Sequence, residues 1–494
     1  MTKRFLNYIA GKWAGAESGK TFEDRNPADH RNLIGIFPES GPGDVERAVE
    51  AAEAAYPSWR LVPPPRRGEI ILKAGLLLKE RKEELARLMT REMGKILKES
   101  RGDVQEAIDM AYYAAGEGRR LFGRTTTSEL KDKFAMSIRT PIGVCGLITP
   151  WNFPAAIPSW KVFPALLCGN TLVFKPAEDT PASAAMFVEI LEEAGLPPGV
   201  LNLVHGGPET GEAIVCHPRI RLISFTGSCE VGRIIGEICG RTLKRCSLEM
   251  GGKNAQIVMA DADFALAIEG AVWGAFGTTG QRCTATSRIY AEKKIYKPFV
   301  KALAARAKKI KIGDGTRPGV EMGPLVNETQ RRRVHRYVES GIEEGAELEC
   351  GGRFAEGPGL ARGWFYEPTV FTHTTPQMKI IREEIFGPVT CVIPVKSLEE
   401  AIAEVNNTAY GLSSSLYSRD VNRAMRAIRD IEAGITYING PTIGAEVHLP
   451  FGGVKNTGNG HREAGETALD IFSEWKSVFV DFSGKLQKAQ IDVD

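Results

Sequence analysis

The chain has 494 residues, 43% of them hydrophobic, with 63 basic and 61 acidic side chains. Because a single hydrophobic core stops growing at about 250–300 residues, this length predicts two or more domains. The near balance of charge, with both signs interspersed, gives no electrostatic reason to expect a nucleic-acid or membrane partner.

The cellular compartment and any metal site can be inferred from the cysteines, the histidines and the N-terminal segment. The nine cysteines are odd in number, scattered and never at CxxC spacing, so neither a disulfide framework nor a zinc site is expected. The seven histidines form no metal-binding motif, so we expect no metal. No apolar run approaches the ~18 residues of a membrane span, and no signal peptide is recognisable. Together these features predict a cytoplasmic protein with free thiols.

The first half of the chain changes from helical periodicity to strand–helix alternation. Amphipathic helices are predicted at 45–55, 66–98 and 104–120. Short apolar strands then alternate with helices as far as residue 258. The predicted strands are 144–148, 171–174, 201–204, 222–225 and 255–258, and the predicted helices between them are 181–194, 208–216 and 230–239. This alternation predicts a parallel sheet covered on both faces, which binds ligands at the carboxyl ends of its strands.

A second alternation of the same kind occupies the rest of the chain. Its predicted helices are 264–276, 297–310, 328–344, 398–406 and 421–431, and its predicted strands are 288–291, 389–395, 414–417 and 434–438. Residues 475–481 alternate like an edge strand, and we expect this strand to pair outside its own domain.

A cysteine follows a predicted helix in the segment FGTTGQRCTA. Gly277 and Gly280 loosen the backbone before Cys283, so its thiol and its own N–H can be presented to a ligand. A thiolate attacks carbonyl carbons well once its surroundings lower its pKa. A buried structural cysteine is the commoner fate of such a residue, and this segment alone does not decide between the two.

Two further segments carry groups that suit the same chemistry. In CSLEMGGKN, Glu249 lies between a strand-like run and two glycines, where it could act as a general base or be an ordinary surface glutamate. In PWNFP, the prolines stiffen a loop around Asn152. Its amide could donate to a developing oxyanion, a contact of about 3 kcal/mol, or bond its own turn.

Strand ends also carry residues that suit a nucleotide. FKPAEDTP places Lys175 and Glu178 after a strand, where ribose and phosphates lie in such folds. SFTGSCEVG places Gly227 and Ser228 before a helix whose N-terminal N–H groups suit a pyrophosphate. The spacing is not G-x-G-x-x-G, so the standard Rossmann fingerprint is absent. In EEIFGP, an acid and an aromatic residue, Glu384 and Phe386, lie two residues apart. As a ligand-binding motif this pair is weak, and packing at a strand end is the alternative role.

Taken in order, PWNFP, FKPAEDTP, FTGS, LEMGGKN, GQRC, EEIFGP and PFGGVKNTG resemble the aldehyde dehydrogenase superfamily over nearly the whole chain. The resemblance implies an α/β fold with a Rossmann-type cofactor domain, an α/β catalytic domain and a small β oligomerisation arm. The implied limits are 1–122 with 144–251 for the cofactor domain, 252–450 for the catalytic domain, and 123–143 with 473–494 for the arm. The arm is expected to reach a neighbouring subunit, and the homo-oligomer to be a dimer or a tetramer.

The resemblance also assigns roles to individual residues. Cys283 is similar to the family nucleophile, Glu249 to its general base, and Asn152 to the side-chain half of the oxyanion hole. Attack on an aldehyde gives a thiohemiacetal, and hydride transfer leaves a thioester that Glu249-activated water hydrolyses to the acid. The implied contacts to the nicotinamide dinucleotide are made by Pro150, Trp151, Lys175, Glu178, Gly207, Gly227, Ser228, Glu384 and Phe386. We expect NAD to be preferred and NADP to be accepted, because Glu178 repels a 2′-phosphate while Lys175 lies nearby.

The segment PTIGAEVHLPFGGVKNTG is similar to the antiquitin-like group, which oxidises α-aminoadipic semialdehyde. Glu106 matches an acid near the substrate in that group, Phe451 belongs to the matching HLPFGG run, and Arg282 suits a carboxylate. One extra residue precedes Arg462 and Glu463, which departs from the family spacing. Arginine before the nucleophile also occurs in glyceraldehyde-3-phosphate and methylmalonate semialdehyde members, and HLPFGG is similar to aromatic-aldehyde members as well, so the aldehyde itself stays open.

Three other functions compete with hydrolytic aldehyde oxidation. Acyl transfer to coenzyme A or phosphate is opposed by Glu249, since a hydrolytic base would destroy the thioester. A cysteine hydrolase needs a histidine partner, and none of the seven histidines has a recognisable context. A purely structural role predicts loss of Cys283 or Glu249, and both are present.

Overall fold

Three β-sheets of three or more strands, beside two two-stranded sheets, organise the protein in a computed structural model that describes residues 3–491. The strands are β1 Asn7–Ile9, β2 Lys12–Ala14, β3 Thr21–Arg25, β4 Leu33–Pro38, β5 Arg124–Thr127, β6 Lys133–Pro141, β7 Val144–Ile148, β8 Thr171–Lys175, β9 Leu201–Leu203, β10 Leu222–Thr226, β11 Arg245–Glu249, β12 Asn254–Val258, β13 Thr286–Glu292, β14 Glu347–Cys350, β15 Thr369–Thr372, β16 Val389–Val395, β17 Tyr410–Gly411, β18 Ser413–Tyr417, β19 Ile435–Ile438, β20 Val454–Lys455 and β21 Ser473–Asp481.

The helices lie between these strands and on their faces. They are α1 Pro42–Trp59, α2 Pro64–Glu80, α3 Lys82–Met93, α4 Leu97–Glu117, α5 Ala156–Leu167, α6 Pro181–Glu193, α7 Pro208–Cys216, α8 Cys229–Thr242, α9 Phe264–Phe276, α10 Lys293–Ala307, α11 Glu328–Glu343, α12 Lys379–Arg382, α13 Leu398–Asn406, α14 Val421–Asp430 and α15 Thr467–Ile471. Among the described residues, no helix is both long enough and apolar enough to cross a membrane.

The first sheet has the order β11-β10-β7-β8-β9-β1-β2, with β7 to β11 parallel and β1 antiparallel to β9. Helices α5 and α6 cover one face, and α1, α7 and α8 cover the other. The chain passes from β7 outward to β9 and then returns to β10 on the opposite side of β7. The strand order therefore reverses between β7 and β10, and such a switch point opens a crevice at the carboxyl ends of the two strands.

The second sheet has the order β14-β15-β16-β13-β12-β18-β19 and is parallel apart from β14. Helices α9 and α10 pack on one face, and α13 and α14 pack on the other. The third sheet is antiparallel with the order β21-β6-β5, and Ser473 pairs with Pro141 at one end and Asp481 with Lys133 at the other. The predicted edge strand at 475–481 is confirmed by the outer position of β21.

The predicted α/β class with parallel sheets is confirmed. Each of these three sheets lies within one of the three predicted domains, and the limits of those domains stay predictions. Residues 1–2 and 492–494 of the predicted domains lie outside the described residues. The single helix predicted at 66–98 is wrong, since α2 ends at Glu80 and α3 ends before Gly94. Gly94 has φ +93°, and a Cβ there would lie 2.6 Å from Pro324. The helix predicted at 104–120 accordingly begins earlier, at Leu97.

Candidate active site

A strained turn holds Cys283 at the end of α9. The tight turn Gly277–Gly280 contains Thr278 and Thr279, whose φ angles of +52° and +59° are rare for β-branched residues. Such conformations cost about 1–3 kcal/mol each and persist where neighbours impose them. Here the buried Glu99 carboxylate accepts the Thr278 N–H at 2.6 Å, and the Thr279 hydroxyl donates to the Gly323 carbonyl at 3.0 Å. The turn thus fixes the backbone that presents the thiol.

Two cavities meet at Cys283. The aromatic cavity, about 280 Å³, is lined by Phe153, Trp160, Trp273 and Phe451 together with several charged side chains. The Glu384 cavity, about 170 Å³, also has Cys283 in its lining and contains Glu384. Burial, and then the carboxyls of Glu384 and Glu249, raise the pKa of Cys283 to about 12. The resting thiol is therefore protonated and must lose its proton before it can attack.

Glu249 is a buried carboxyl and not a surface glutamate. It ends β11, is 2% exposed, and neither of its oxygens has a hydrogen-bond partner among the described residues. A Cβ on Gly452 would lie 2.5 Å from Oε1, so only glycine leaves room for the carboxyl there. Burial, and then the Glu463 carboxyl, raise the pKa of Glu249 well above its ordinary value. Raising the pKa of a carboxyl in this way suits proton transfer near neutral pH.

An ion pair that was not predicted lies beside Glu249. The Lys161 ammonium contacts the Glu463 carboxylate and donates to Ser224 Oγ at 2.9 Å, and both charged groups are buried. Buried charges require partners of this kind. The segment that precedes Arg462 turns at Gly460, where φ is +100° and a Cβ would meet nothing within 4 Å.

Asn152 follows β7 in a loop anchored by a second buried pair. Lys95 Nζ lies 2.6 Å from Asp103 and donates to the Asn152 carbonyl at 2.9 Å. The other Asp103 oxygen accepts the Ala156 N–H at 2.6 Å. The Asn152 amide donates to the Gln281 carbonyl at 3.0 Å, two residues before Cys283. The side chain is thus held next to the nucleophile, with one amide hydrogen left for a ligand.

The Glu384 cavity combines a buried carboxyl with an aromatic wall. Glu384 accepts the Gly252 N–H at 3.1 Å, and burial raises its pKa to about 7. A Cβ on Gly251 would lie 2.0 Å from this carboxyl, so only glycine permits the approach. Phe386 and Trp151 pack edge to face at 5.4 Å and form an aromatic wall.

The same cavity reaches the N-terminus of α8. Ser228 caps this 14-residue helix by accepting the Val231 N–H, and Gly227 and Ser228 both line the cavity. Helix N-termini attract phosphate groups. Six of the predicted cofactor residues come together here, and they are Pro150, Trp151, Gly227, Ser228, Glu384 and Phe386.

The other three predicted cofactor residues lie further along the same sheet edge. Lys175 ends β8, and its ammonium is 3.6 Å from the half-exposed Glu178 carboxylate. Gly207 follows β9 and caps α7. Because β8 and β9 are the next strands after β7, this group continues the crevice that begins at the Glu384 cavity.

The three predicted substrate residues, Arg282, Glu106 and Phe451, all line the aromatic cavity. The Arg282 guanidinium lies 5.2 Å from the Phe153 ring centre and 5.1 Å from that of Trp273. Its Nε donates to the Thr278 hydroxyl, and Nη2 is 3.5 Å from Glu99. Burial, and then Asp103, raise the pKa of Glu106 to about 8. This shift favours the neutral form of the Glu106 carboxyl.

Comparison with known proteins agrees with this geometry. Residues 13–478 match the model of the aldehyde dehydrogenase family. The chain is 43% identical to an alpha-ketoglutaric semialdehyde dehydrogenase of Bacillus subtilis, covering 96% of this chain and 98% of that protein. It is 42% identical to a 2,5-dioxopentanoate dehydrogenase of Saccharolobus solfataricus, covering 95% of this chain and 98% of that protein. The fold matches a crystal structure of betaine aldehyde dehydrogenase from Staphylococcus aureus in complex with NAD+ with a TM-score of 0.95. The two chains are 35% identical, and the match covers 97% of this chain and 96% of that one.

The chain belongs to the aldehyde dehydrogenase family. It is an NAD(P)-dependent oxidoreductase that acts on aldehydes, and the predicted fold class, enzyme class and type of cofactor are confirmed.

Proposed function

We propose that this enzyme oxidises a carboxylate-bearing semialdehyde to the acid, with Cys283 as nucleophile and Glu249 as the base for hydrolysis. The observation that carries this proposal is that Cys283 lines both the aromatic cavity and the Glu384 cavity. The thiol is therefore accessible both to an aldehyde in the first cavity and to a dinucleotide in the second. Holding reactants in this way removes much of the entropic part of the barrier.

The thiol must first lose its proton, because burial raises its pKa. The thiolate then bonds to the aldehyde carbon, and the carbonyl oxygen becomes negative. The Asn152 amide and the Cys283 N–H are the donors proposed to bind this oxygen. A bound dinucleotide supplies the hydride acceptor. The resulting thioester is attacked by a water molecule whose proton passes to Glu249, and the Lys161–Glu463 pair beside it can accept the proton in turn.

The substrate class rests on Arg282. Two of its nitrogens contact Thr278 and Glu99, but Nη1 has no hydrogen-bond partner within residues 3–491 and belongs to a side chain that lines the aromatic cavity. A guanidinium held between two aromatic rings is well oriented to bind a carboxylate. The names of the two semialdehyde dehydrogenase relatives agree with such a substrate. The segment PTIGAEVHLPFGGVKNTG is similar to the antiquitin-like group. This similarity makes α-aminoadipic semialdehyde a candidate substrate alongside 2,5-dioxopentanoate.

Replacing Arg282 by alanine tests this assignment. Loss of one charge-assisted contact of about 1.5–3 kcal/mol should reduce kcat/KM for the carboxylated semialdehydes by roughly ten- to a hundredfold. Oxidation of an uncharged aldehyde of equal length should change little. Glu99→Gln is the comparison for support of the turn, because it alters both the ion-pair partner of Arg282 and the acceptor of the Thr278 N–H. Equal losses on both aldehydes in both variants would show that Arg282 only supports the turn.

We propose that NAD is preferred over NADP because Glu178 lies where the adenine ribose is expected. Its half-exposed carboxylate would accept hydrogen bonds from the ribose hydroxyls and repel a 2′-phosphate. Glu178→Gln should raise the ratio of kcat/KM with NADP to that with NAD by about three- to tenfold. Glu237→Gln, at the exposed far end of α8, controls for the change in net charge. A wild-type enzyme that favours NADP would contradict the assignment.

We propose that the sheet β21-β6-β5 joins subunits into a dimer or a tetramer in the cytoplasm. Phe479, Phe482 and Trp475 are each more than half exposed on or next to β21. Exposed apolar clusters of this kind mark protein interfaces. Phe479→Asp should shift the sedimentation coefficient to a smaller species, whereas Leu61→Asp, an equally exposed apolar site between α1 and α2, should not. Unchanged sedimentation of Phe479→Asp would exclude β21 from the interface.

A further inference from the structure

One buried ammonium holds the loop after β7 against α4. Lys95 lies between α3 and α4 and is fully buried. Its Nζ contacts three groups: Asp103 Oδ2 at 2.6 Å, the Asn152 carbonyl oxygen at 2.9 Å, and the Phe153 ring, whose centre is 4.3 Å away. Two of these three groups belong to the loop. The ammonium therefore fixes the peptide bond between Asn152 and Phe153.

The partner of this ammonium fixes the other end of the same loop. The Asp103 carboxylate is buried on α4, and its Oδ1 accepts the N–H of Ala156, the first residue of α5, at 2.6 Å. A buried carboxylate requires a partner, and Lys95 provides it. The ion pair thus contacts both ends of the segment 152–156 and determines how the loop enters α5.

The turn before Cys283 holds the Asn152 side chain separately. The Asn152 amide donates to the Gln281 carbonyl at 3.0 Å. Gln281 is itself fully buried, its Nε2 donates to the Thr278 carbonyl at 3.2 Å, and its Oε1 accepts the Val326 N–H at 3.0 Å. The backbone of Asn152 is therefore held by α4, and its side chain is held by the turn. A shift of the backbone would move the amide relative to the thiol even if the turn stayed in place.

We propose that Lys95 is a positioning residue for the oxyanion donor, and that Asp103 acts through it. This role rests on the proposed function, in which the Asn152 amide binds the oxyanion. Within residues 3–491, the linings of the two cavities at Cys283 do not include Lys95, so its effect passes through the loop. Donors that are already in place stabilise a developing charge without rearrangement. A looser Asn152 should therefore slow attack on the aldehyde more than it weakens binding.

The burst of reduced nicotinamide in stopped-flow absorbance tests this role. Lys95→Met removes the ammonium and nearly keeps the length of the side chain. The burst rate at saturating aldehyde should fall by about ten- to a hundredfold, as expected for a small misplacement of a reacting group. NAD affinity by calorimetry should stay within about threefold of the wild type, because the residues of the Glu384 cavity are unchanged.

A second variant removes the risk that an unpaired carboxylate unfolds the protein. Lys95→Met leaves the Asp103 charge without its partner, whereas Lys95→Met/Asp103→Asn removes both charges. The double variant should slow the burst as much as Lys95→Met does. A normal burst rate in the double variant would overturn the positioning role, and so would a loss of NAD affinity as large as the loss of burst rate.

A double-mutant cycle with Asn152→Ala separates positioning from general support of the fold. Once the amide is absent, Lys95→Met should slow the burst by less than about twofold further, because residues that act as a unit are not additive. Additive losses would contradict the role. A slow burst in Asn152→Ala with a normal burst in Lys95→Met would overturn the positioning role alone. A normal burst in Asn152→Ala would overturn the proposed oxyanion donor as well.

Arg67 provides the matched control for loss of a buried cation. It is 4% exposed, and its Nε donates to the carbonyl of Leu167, the last residue of α5, at 2.8 Å. Arg67→Met should lower the melting temperature and leave the burst rate unchanged. An equally slow burst in Arg67→Met would assign both losses to general instability and contradict the role of Lys95.

Alkylation of Cys283 by iodoacetamide provides a second control, because this reaction forms no oxyanion. Its rate should be the same in the wild type and in Lys95→Met, which would show that the thiol has kept its place. A fall in the alkylation rate that matches the fall in the burst rate would show that the thiol has moved, and this result would overturn the proposal.

Discussion

Replacing Cys283 by alanine should reduce aldehyde oxidation by about 10⁴–10⁶-fold, the range seen when an enzyme loses its nucleophile. The expected loss is large because no covalent intermediate can form without the sulfur. Neither oxyanion donor is removed, since Asn152 and the backbone N–H at 283 are retained. Steady-state formation of reduced nicotinamide, followed by absorbance, measures the loss.

Cofactor binding provides the control for this variant. The residues of the Glu384 cavity other than Cys283 are unchanged, so NAD affinity by calorimetry should stay within a few-fold of the wild type. Cys216→Ala, which removes an exposed thiol far from both cavities, should oxidise aldehydes normally. A Cys283→Ala enzyme that keeps most of its turnover would exclude the covalent mechanism.

Replacing Glu249 by glutamine should slow hydrolysis of the thioester by about 10²–10⁴-fold, the usual contribution of a general base. Glutamine has the same shape but cannot take a proton from water. Stopped-flow absorbance should then show a burst of one reduced nicotinamide per active site, followed by a very slow steady state. Loss of the burst itself would mean that Glu249 acts earlier, in deprotonating Cys283.

The pH dependence of hydrolysis provides an independent test of Glu249. Because its pKa is raised, the carboxyl is protonated at low pH and becomes a base only as the pH rises. The hydrolysis rate should therefore rise with pH in the wild type, and this rise should be absent in Glu249→Gln. Glu463→Gln removes the carboxyl that helps to raise the pKa of Glu249, so the rise should move to lower pH. A shift to higher pH would contradict the role given to Glu463.

The sequence predicted most reliably the groups that are fixed by local chain geometry. Cys283, Glu249 and Lys175 lie at the ends of helices or strands that apolar patterning identifies, and parallel strands bring such ends to one edge. Helix α5 was missed because all of its residues are buried, which leaves no amphipathic period to detect. Lys161 stands within the apolar run of α5, and this position could have indicated a buried ion pair, because a buried ammonium needs an acidic partner.

Contacts between distant parts of the chain could not be predicted. Lys161 and Glu463 are 302 residues apart, and no local pattern links them. The orientation of Arg282 was equally open, because a carboxylate substrate and an acid of the fold were both possible partners. The fold provides Glu99 as one such acid while the guanidinium still lines the aromatic cavity. This result depends on the contact between α4 and the turn that follows α9.

The covalent mechanism requires that the aldehyde becomes attached to Cys283, and trapping of that intermediate would demonstrate the bond. Glu249→Gln should be mixed with NAD and 2,5-dioxopentanoate, quenched in acid after the burst, and analysed by intact-protein mass spectrometry and peptide mapping. We expect one acyl group per chain, located on the peptide that contains Cys283 and released by hydroxylamine. A full burst of reduced nicotinamide with no mass added to Cys283 would contradict the covalent mechanism.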